Sequence, residues 1–197
     1  MIPFYTYFFL LLGFHLKQTN GACDCVPSVE QNTSESYRYG MKHETDFSKY
    51  PEHTGTIGVE TVRSWEKTYR KKSKRIFEQT GRMKETPEDS IYTLTGIIYS
   101  AKINEHDCDL HLEIGTEDPN ALRTVAEISK DNCKLQEEIM QQLKAKGLVI
   151  GQQNPTGVKC TLKGLGFYDG KHPLKKNKKY EKGSAWEIHP VIAIELE

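Results

Sequence analysis

A period-two alternation of apolar and polar residues runs through the C-terminal half of the chain. Over residues 158–169, Cys160 and Leu162 fall on one side and Lys159, Thr161 and Lys163 on the other, the pattern of a half-buried strand. Gly164 and Gly166 interrupt it, as glycines do at a bulge or where a barrel strand bends. A partner strand is predicted over 185–196, opening with Trp186, Glu187 and His189 and running into Val191, Ile192, Ile194 and Leu196. Upstream, 91–103 is rich in β-branched and aromatic residues and is broken by Gly96. Residues 107–114 alternate strictly, with Leu110, Leu112 and Ile114 against Asp107, Asp109, His111 and Glu113. A turn at 117–120 leads to a short third strand, 123–128. The period then changes to helical: Leu135, Ile139 and Leu143 recur over 133–146, with Asp131 or Asn132 as the cap and Gly147 as the stop.

Three strands, a helix and two strands predict a mainly β domain over 86–197. The outline is a five-stranded OB-like Greek-key barrel with one helix between strands three and four. An open antiparallel sheet carrying one helix is the competing architecture. The absence of alternating βαβ units argues against a doubly wound parallel sheet. In front of the domain, 59–80 reads as a basic amphipathic helix followed by a linker to 85. Val62, Trp65, Tyr69, Ile76 and Phe77 mark one side, and Arg63, Lys67, Arg70, Lys71, Lys72, Lys74 and Arg75 the other. That strip is a surface for nucleic acid or anionic lipid, or simply a solvated helix face. Residues 23–58 have no sustained period and read as a polar arm or tether.

Net charge is zero over 197 residues, so any electrostatic argument has to be local. Residues 1–14 are apolar for about the length of a signal-peptide core, too short to cross a bilayer. The expectation is a signal peptide over 1–22 and an exported protein that is periplasmic, cell-surface or secreted. Gly21-Ala22-Cys23 is similar to the lipobox of bacterial lipoproteins and makes Cys23 a candidate lipid anchor. Of five cysteines, four would then remain for two disulfides. The turn after residue 114 brings Cys108 to the sheet end where Cys133 follows, so Cys108–Cys133 is the expected bridge, with Cys160 as the second candidate partner.

Candidate chemistry gathers in the same segments. Asp107, Asp109 and His111 share one strand face, Glu187 and His189 share another, and Asp169 and His172 lie at the start of the strand connection. Carboxylate and imidazole ligands suit a divalent metal that activates water. Glu187, His189, Asp169 and His172 form the expected tight group and metal set, with Asp107 and Asp109 at its edge. The bland alternative is the solvated face of a half-exposed sheet, His189 hydrogen-bonded beside Pro190. Lys171, Lys175, Lys176, Lys178, Lys179 and Lys182 make the 170–184 connection a candidate polyanion site, flanked by Tyr168, Tyr180 and Trp186 as stacking platforms.

Four motifs carry a resemblance: D-x-D-x-H at Asp107, Asp109 and His111; A-E-I at 126–128; G-x-G-F-Y-D-x-x-H at 164–172; and E-I-H-P-V at 187–191. Together they resemble a family of exported bacterial proteins without an established activity. Cys108 departs from the glycine usual there, and 175–182 from the usual neutral residues. Asp107-x-Asp109 is also similar to the metal-binding strand of staphylococcal-type nucleases, another OB-fold. Cys23-Asp24-Cys25-Val26-Pro27 is similar to the opening of tissue inhibitors of metalloproteinases, OB-folds in which the amine and carbonyl of the first cysteine chelate the protease metal. The leading reading is a non-enzymatic ligand- or surface-binding domain for a polyanion, nucleic acid or cell-surface glycan. The alternative is a metal-dependent phosphodiesterase or nuclease-like hydrolase.

Overall fold

The computed structural model describes residues 21–27, 38–72, 75–76, 81–170 and 184–197. Strands β1 (Glu52–Gly58), β2 (Ile91–Ile103), β3 (Leu110–Gly115), β4 (Thr124–Ile128), β5 (Val158–Tyr168) and β6 (Trp186–Leu196) form one sheet. The last five close into a barrel. β2 closes it by pairing twice, its first half antiparallel to β5 and its second half antiparallel to β3. It turns that corner at Gly96, where a Cβ would stand 2.4 Å from the Ile114 side chain. Register shifts at Gly164 and Gly166 give β5 its predicted bulge. The opposite seam is thin: β4 and β6 run parallel and meet through the single pair Ala126↔Ile188.

Alternation fills the interior as expected. Leu94, Ile98, Leu110, Leu112, Ile114, Ile128, Leu162 and Ile188 are buried in one core. Each such side chain contributes about 1.5–3 kcal/mol by leaving water. Helix α3 (Cys133–Ala145), between β4 and β5, adds Ile139 and Leu143. Its buried Gln136 donates from Nε2 to the carbonyls of Cys108 (3.0 Å) and Ile128 (2.7 Å), satisfying the backbone where β3 begins and β4 ends.

Described residues before the barrel also form regular elements. They include the single helical turn α1 (Tyr39–Lys42) and the edge strand β1, which pairs parallel to β2. Helix α2 (Val59–Thr68) follows and buries Val59, Val62 and Trp65 against the barrel. Its cap is Tyr69, and Arg70, Lys71 and Lys72 lie in the turn beyond it. Trp186 is not a surface platform. It is fully buried, 5.8 Å from Trp65, 5.5 Å from Tyr69 and 5.2 Å from Tyr168 between ring centroids.

The disulfides differ from the expected bridge. Cys23 pairs with Cys133 and Cys25 with Cys108. The two half-cystines of the domain are both claimed by the C-x-C segment, because the 3₁₀ turn Ala22–Asp24 packs on α3, where the Cys23 N–H donates to Glu137 at 3.2 Å. Cys160 is a buried free thiol, and its neighbours leave it no cysteine to join. The Cys23 sulfur is committed to a disulfide and cannot also carry a lipid. Two disulfides place the chain in a non-cytoplasmic, oxidising environment. Among the described residues no helix is long and apolar enough to cross a membrane.

Candidate functional site on the outer face of the barrel

Strand register decides which polar side chains meet. Leu110, Leu112, Ala126, Ile128 and Ile188 belong to the core, so His111, Glu127, Glu187 and His189, which alternate with them, stand on the opposite face of the wall. His111 faces Glu127 across β3 and β4. The Ala126↔Ile188 pair brings Glu187 and His189 alongside Glu127. Asp109 enters from the turn before β3, held by its own carbonyl accepting from Asn104 N–H (2.9 Å) and its Oδ1 accepting from Lys130 N–H (2.7 Å). Members of three motifs that are well separated in the chain thus meet at one seam.

His189 is the centre of the group. Its Nδ1 lies 3.0 Å from Glu127 Oε2 and 3.2 Å from Glu187 Oε1, and its Nε2 lies 3.2 Å from Asp109 Oδ2. Glu127 is shared, its Oε1 accepting from His111 Nδ1 at 2.8 Å. His189 and Asp109 are 0% exposed. His189 Nε2 and Asp109 Oδ2 thus face each other as a buried ion pair, and among the described residues neither atom has a further hydrogen-bonding partner.

The outer face of an OB-like wall would ordinarily meet solvent. Here α1 and the residues around it cover it. Arg38 lies 4.7 Å over the Phe167 ring, donates to Tyr168 O at 2.7 Å and forms a buried ion pair with Glu88. Arg82 stitches the layers together by donating to the carbonyls of Gly166 (2.7 Å), Met41 (2.8 Å) and His189 (3.0 Å). Lys42 reaches over the rim, 3.6 Å from Asp107.

Burial and charge compete throughout the cluster. Burial alone would lower the pKa of His189, but the carboxylates of Asp109, Glu127 and Glu187 hold it well above the usual histidine value. Burial would raise Glu127, yet hydrogen bonds from His111 and His189 keep it well below the usual glutamate value. Glu187 goes the other way, raised by burial and by the neighbouring Glu127 charge. Burial opposes the charge of Lys42, but Glu127, Glu187, Asp169 and Asp107 outweigh it and raise its pKa. Asp107 is raised by burial and by Asp109 and Glu127. A crowded anionic site with cations folded over it can hold a positive ion or a shared proton.

Glu187 and His189 sit together as the sequence reading expects, and Asp169 is buried near the Lys42 end. Asp109 is not at the edge: it contacts His189, whereas Asp107 is at the rim. His172 and Lys171, Lys175, Lys176, Lys178, Lys179 and Lys182 lie outside the described residues, as does Tyr180. Glu127 was missed as a site residue although its A-E-I motif was noted, because one acidic residue in an apolar strand carries no periodic signal. Lys42, Arg38 and Arg82 sit in segments that show no sustained alternation, and the partners that place them over the site (Asp107, Tyr168, Gly166, Met41 and His189) are 41 to 130 residues away.

No protein-family model matches the chain, and no curated protein matches it either.

Proposed function

We propose that this is an exported, non-enzymatic binding domain that takes a polyanion at the barrel end where β5 and β6 are connected. The observation that supports it most is how that end is built. Asp169 N–H donates to Ala185 O at 2.8 Å, and Asp169, Ser184 and Ala185 are buried, so the two stems of the lysine-rich connection are clamped together. Such a clamp holds Lys171, Lys175, Lys176, Lys178, Lys179 and Lys182 within a short tether of one spot on the molecule, whatever path the connection takes. The groups that would serve a hydrolase lie beneath the arm, where a metal would lack the open position a substrate needs. The disulfides support export, and so does the likeness to exported bacterial proteins. The glycine usual in those proteins at position 108 would suit the left-handed backbone found there, φ 64°.

The test is binding of heparin and of a single-stranded oligonucleotide at several salt concentrations. Replacing Lys175, Lys176, Lys178 and Lys179 by Gln should flatten the log–log salt slope by roughly 3 for the oligonucleotide, at about 0.7 per neutralised phosphate contact. Equal slopes for variant and wild type would make the connection a bystander. Chelator-sensitive cleavage of the oligonucleotide would replace this reading with the hydrolase.

A further inference from the structure

Helix α2 divides its charges unevenly. Near its start Arg63 donates to Glu60 at 2.9 Å and is neutralised there. At its end and just beyond, Lys67, Arg70, Lys71 and Arg75 are exposed and Lys72 is half-buried. Among the described residues none of these five side chains has an ion pair or a hydrogen bond. Glu66, the acid beside them, is occupied elsewhere, its Oε2 accepting from Ala185 N–H at 3.2 Å. The bend that carries the cations is anchored. Lys72 N–H donates to Tyr69 O at 2.8 Å and Ile76 N–H to Lys72 O at 2.9 Å, and Ile76 is buried in the core. Through Glu66 and Tyr69 the bend lies against Ala185 and Trp186, beside the clamped stems between β5 and β6. Cations on a backbone already held in place lose less freedom when they bind.

We infer that Lys67, Arg70, Lys71, Lys72 and Arg75 form a binding surface for a linear sulfated polysaccharide, adjoining the stems of the lysine-rich connection. This rests on the polyanion reading and names the class of polyanion. Single-stranded nucleic acid is gripped by stacking as well as by charge. Here Trp65 and Trp186 are buried, and Tyr69 and Tyr168 are half-buried with their rings tilted against Trp186, so the aromatic groups belong to the fold. An anionic membrane holds a basic patch stably only when an apolar group inserts beside it. Among the described residues the exposed large hydrophobic side chains are Val26, Leu122 and Val149, none of them in the bend. A sulfated glycan asks for neither stacking nor insertion. Its anions are spaced along a hydrophilic chain, so a fixed row of cations suffices. The two disulfides place the protein outside the cytoplasm, where such a polymer is met.

The experiment measures binding of the disulfide-intact protein to heparin, desulfated heparin, a single-stranded oligonucleotide and phosphatidylserine vesicles over a range of salt. Wild type should bind heparin more tightly than the other three at equal salt. A variant combining Lys67→Gln, Arg70→Gln, Lys71→Gln and Arg75→Gln changes only exposed side chains and should keep its near-UV circular dichroism. It should bind heparin roughly tenfold more weakly, with a flatter salt slope. Undiminished heparin binding by that folded variant overturns the inference, and a slope flattened by the connection variant would then leave the polyanion reading standing. Unchanged slopes in both variants overturn both. A slope flattened by the bend variant alone supports the bend and removes the connection from the site. Should the bend variant not fold, the wild-type ranking decides: oligonucleotide, vesicles or desulfated heparin bound as tightly as heparin overturns the sulfated glycan.

Discussion

The two faces of the barrel wall obey the same alternation and end in opposite chemistry. Inside, Leu110, Leu112, Ala126, Ile128 and Ile188 are buried because the closed sheet excludes water from them. Outside, His111, Glu127, Glu187 and His189 are buried too, with Lys42 and Arg82 from the segments that precede the barrel packed over that face. The interior follows from the strands themselves. The outer face depends on a cover brought in from elsewhere in the chain, so it is where the fold is conditional. A lost methyl group is felt locally in the core, whereas a lost cover exposes a cluster of coupled charges.

Removing the cover is the most severe test. Arg38→Ala leaves Glu88 buried without its cation and should cost about 3–5 kcal/mol in urea denaturation. Leu112→Ala, the matched change on the inner face, should cost about 2–5 kcal/mol through its cavity. Amide exchange separates the two, since Arg38→Ala should speed exchange first around His111, Glu127 and His189. If both variants accelerate exchange evenly, the outer face is not a separate layer.

Untying the cover comes next. Cys25→Ser with Cys108→Ser removes a bridge spanning 83 residues and should lower stability by about 2–4 kcal/mol. Stability unchanged on denaturation would mean that the arm docks without its tether. Within a Cys25→Ser background, Cys108→Gly should then exceed Cys108→Ala by about 1 kcal/mol, because φ is 64° there and a side chain is strained in that region. Equal stability would show the turn relaxing once the bridge is gone.

Between the two faces, Gln136→Leu leaves the Cys108 and Ile128 carbonyls without their donor and should cost about 1–3 kcal/mol. A neutral result would indicate that water reaches both carbonyls. The smallest effect is expected at Cys160. Burial pushes its thiol up to about 12. Native protein at pH 8 should therefore resist iodoacetamide over hours while urea-unfolded protein reacts in minutes. Rapid modification of the native form would place Cys160 at the surface.

The barrel was legible because each strand states its own inner face. Leu110, Leu112 and Ile114 announce a buried side every second residue, and Gly96, Gly164 and Gly166 mark where the strands bend. The site was half legible. Glu187 and His189 are neighbours on one strand, so their pairing needs no tertiary knowledge. Asp109 looked peripheral because nothing local tells that a turn at residues 104–109 will aim it at β6. Lys42 and Arg38 were invisible, since a cover is recognised only through what it covers. The disulfide partners failed for the same reason: the turn at 117–120 brings Cys108 toward Cys133, and nothing nearby says that Cys23 and Cys25 will arrive first.

The paired bridges at Cys23 and Cys25 give the cover a further property. Cys108 immediately precedes Asp109, so the Cys25 bridge fastens the chain beside the very cluster that α1 shields, with 12 residues between Cys25 and Arg38. Docking of the arm is therefore an intramolecular event at an effective concentration on the order of millimolar. An arm held that close can lift away and return many times while remaining closed on average. Its grip can be modest, and the buried charges stay protected by proximity as much as by affinity.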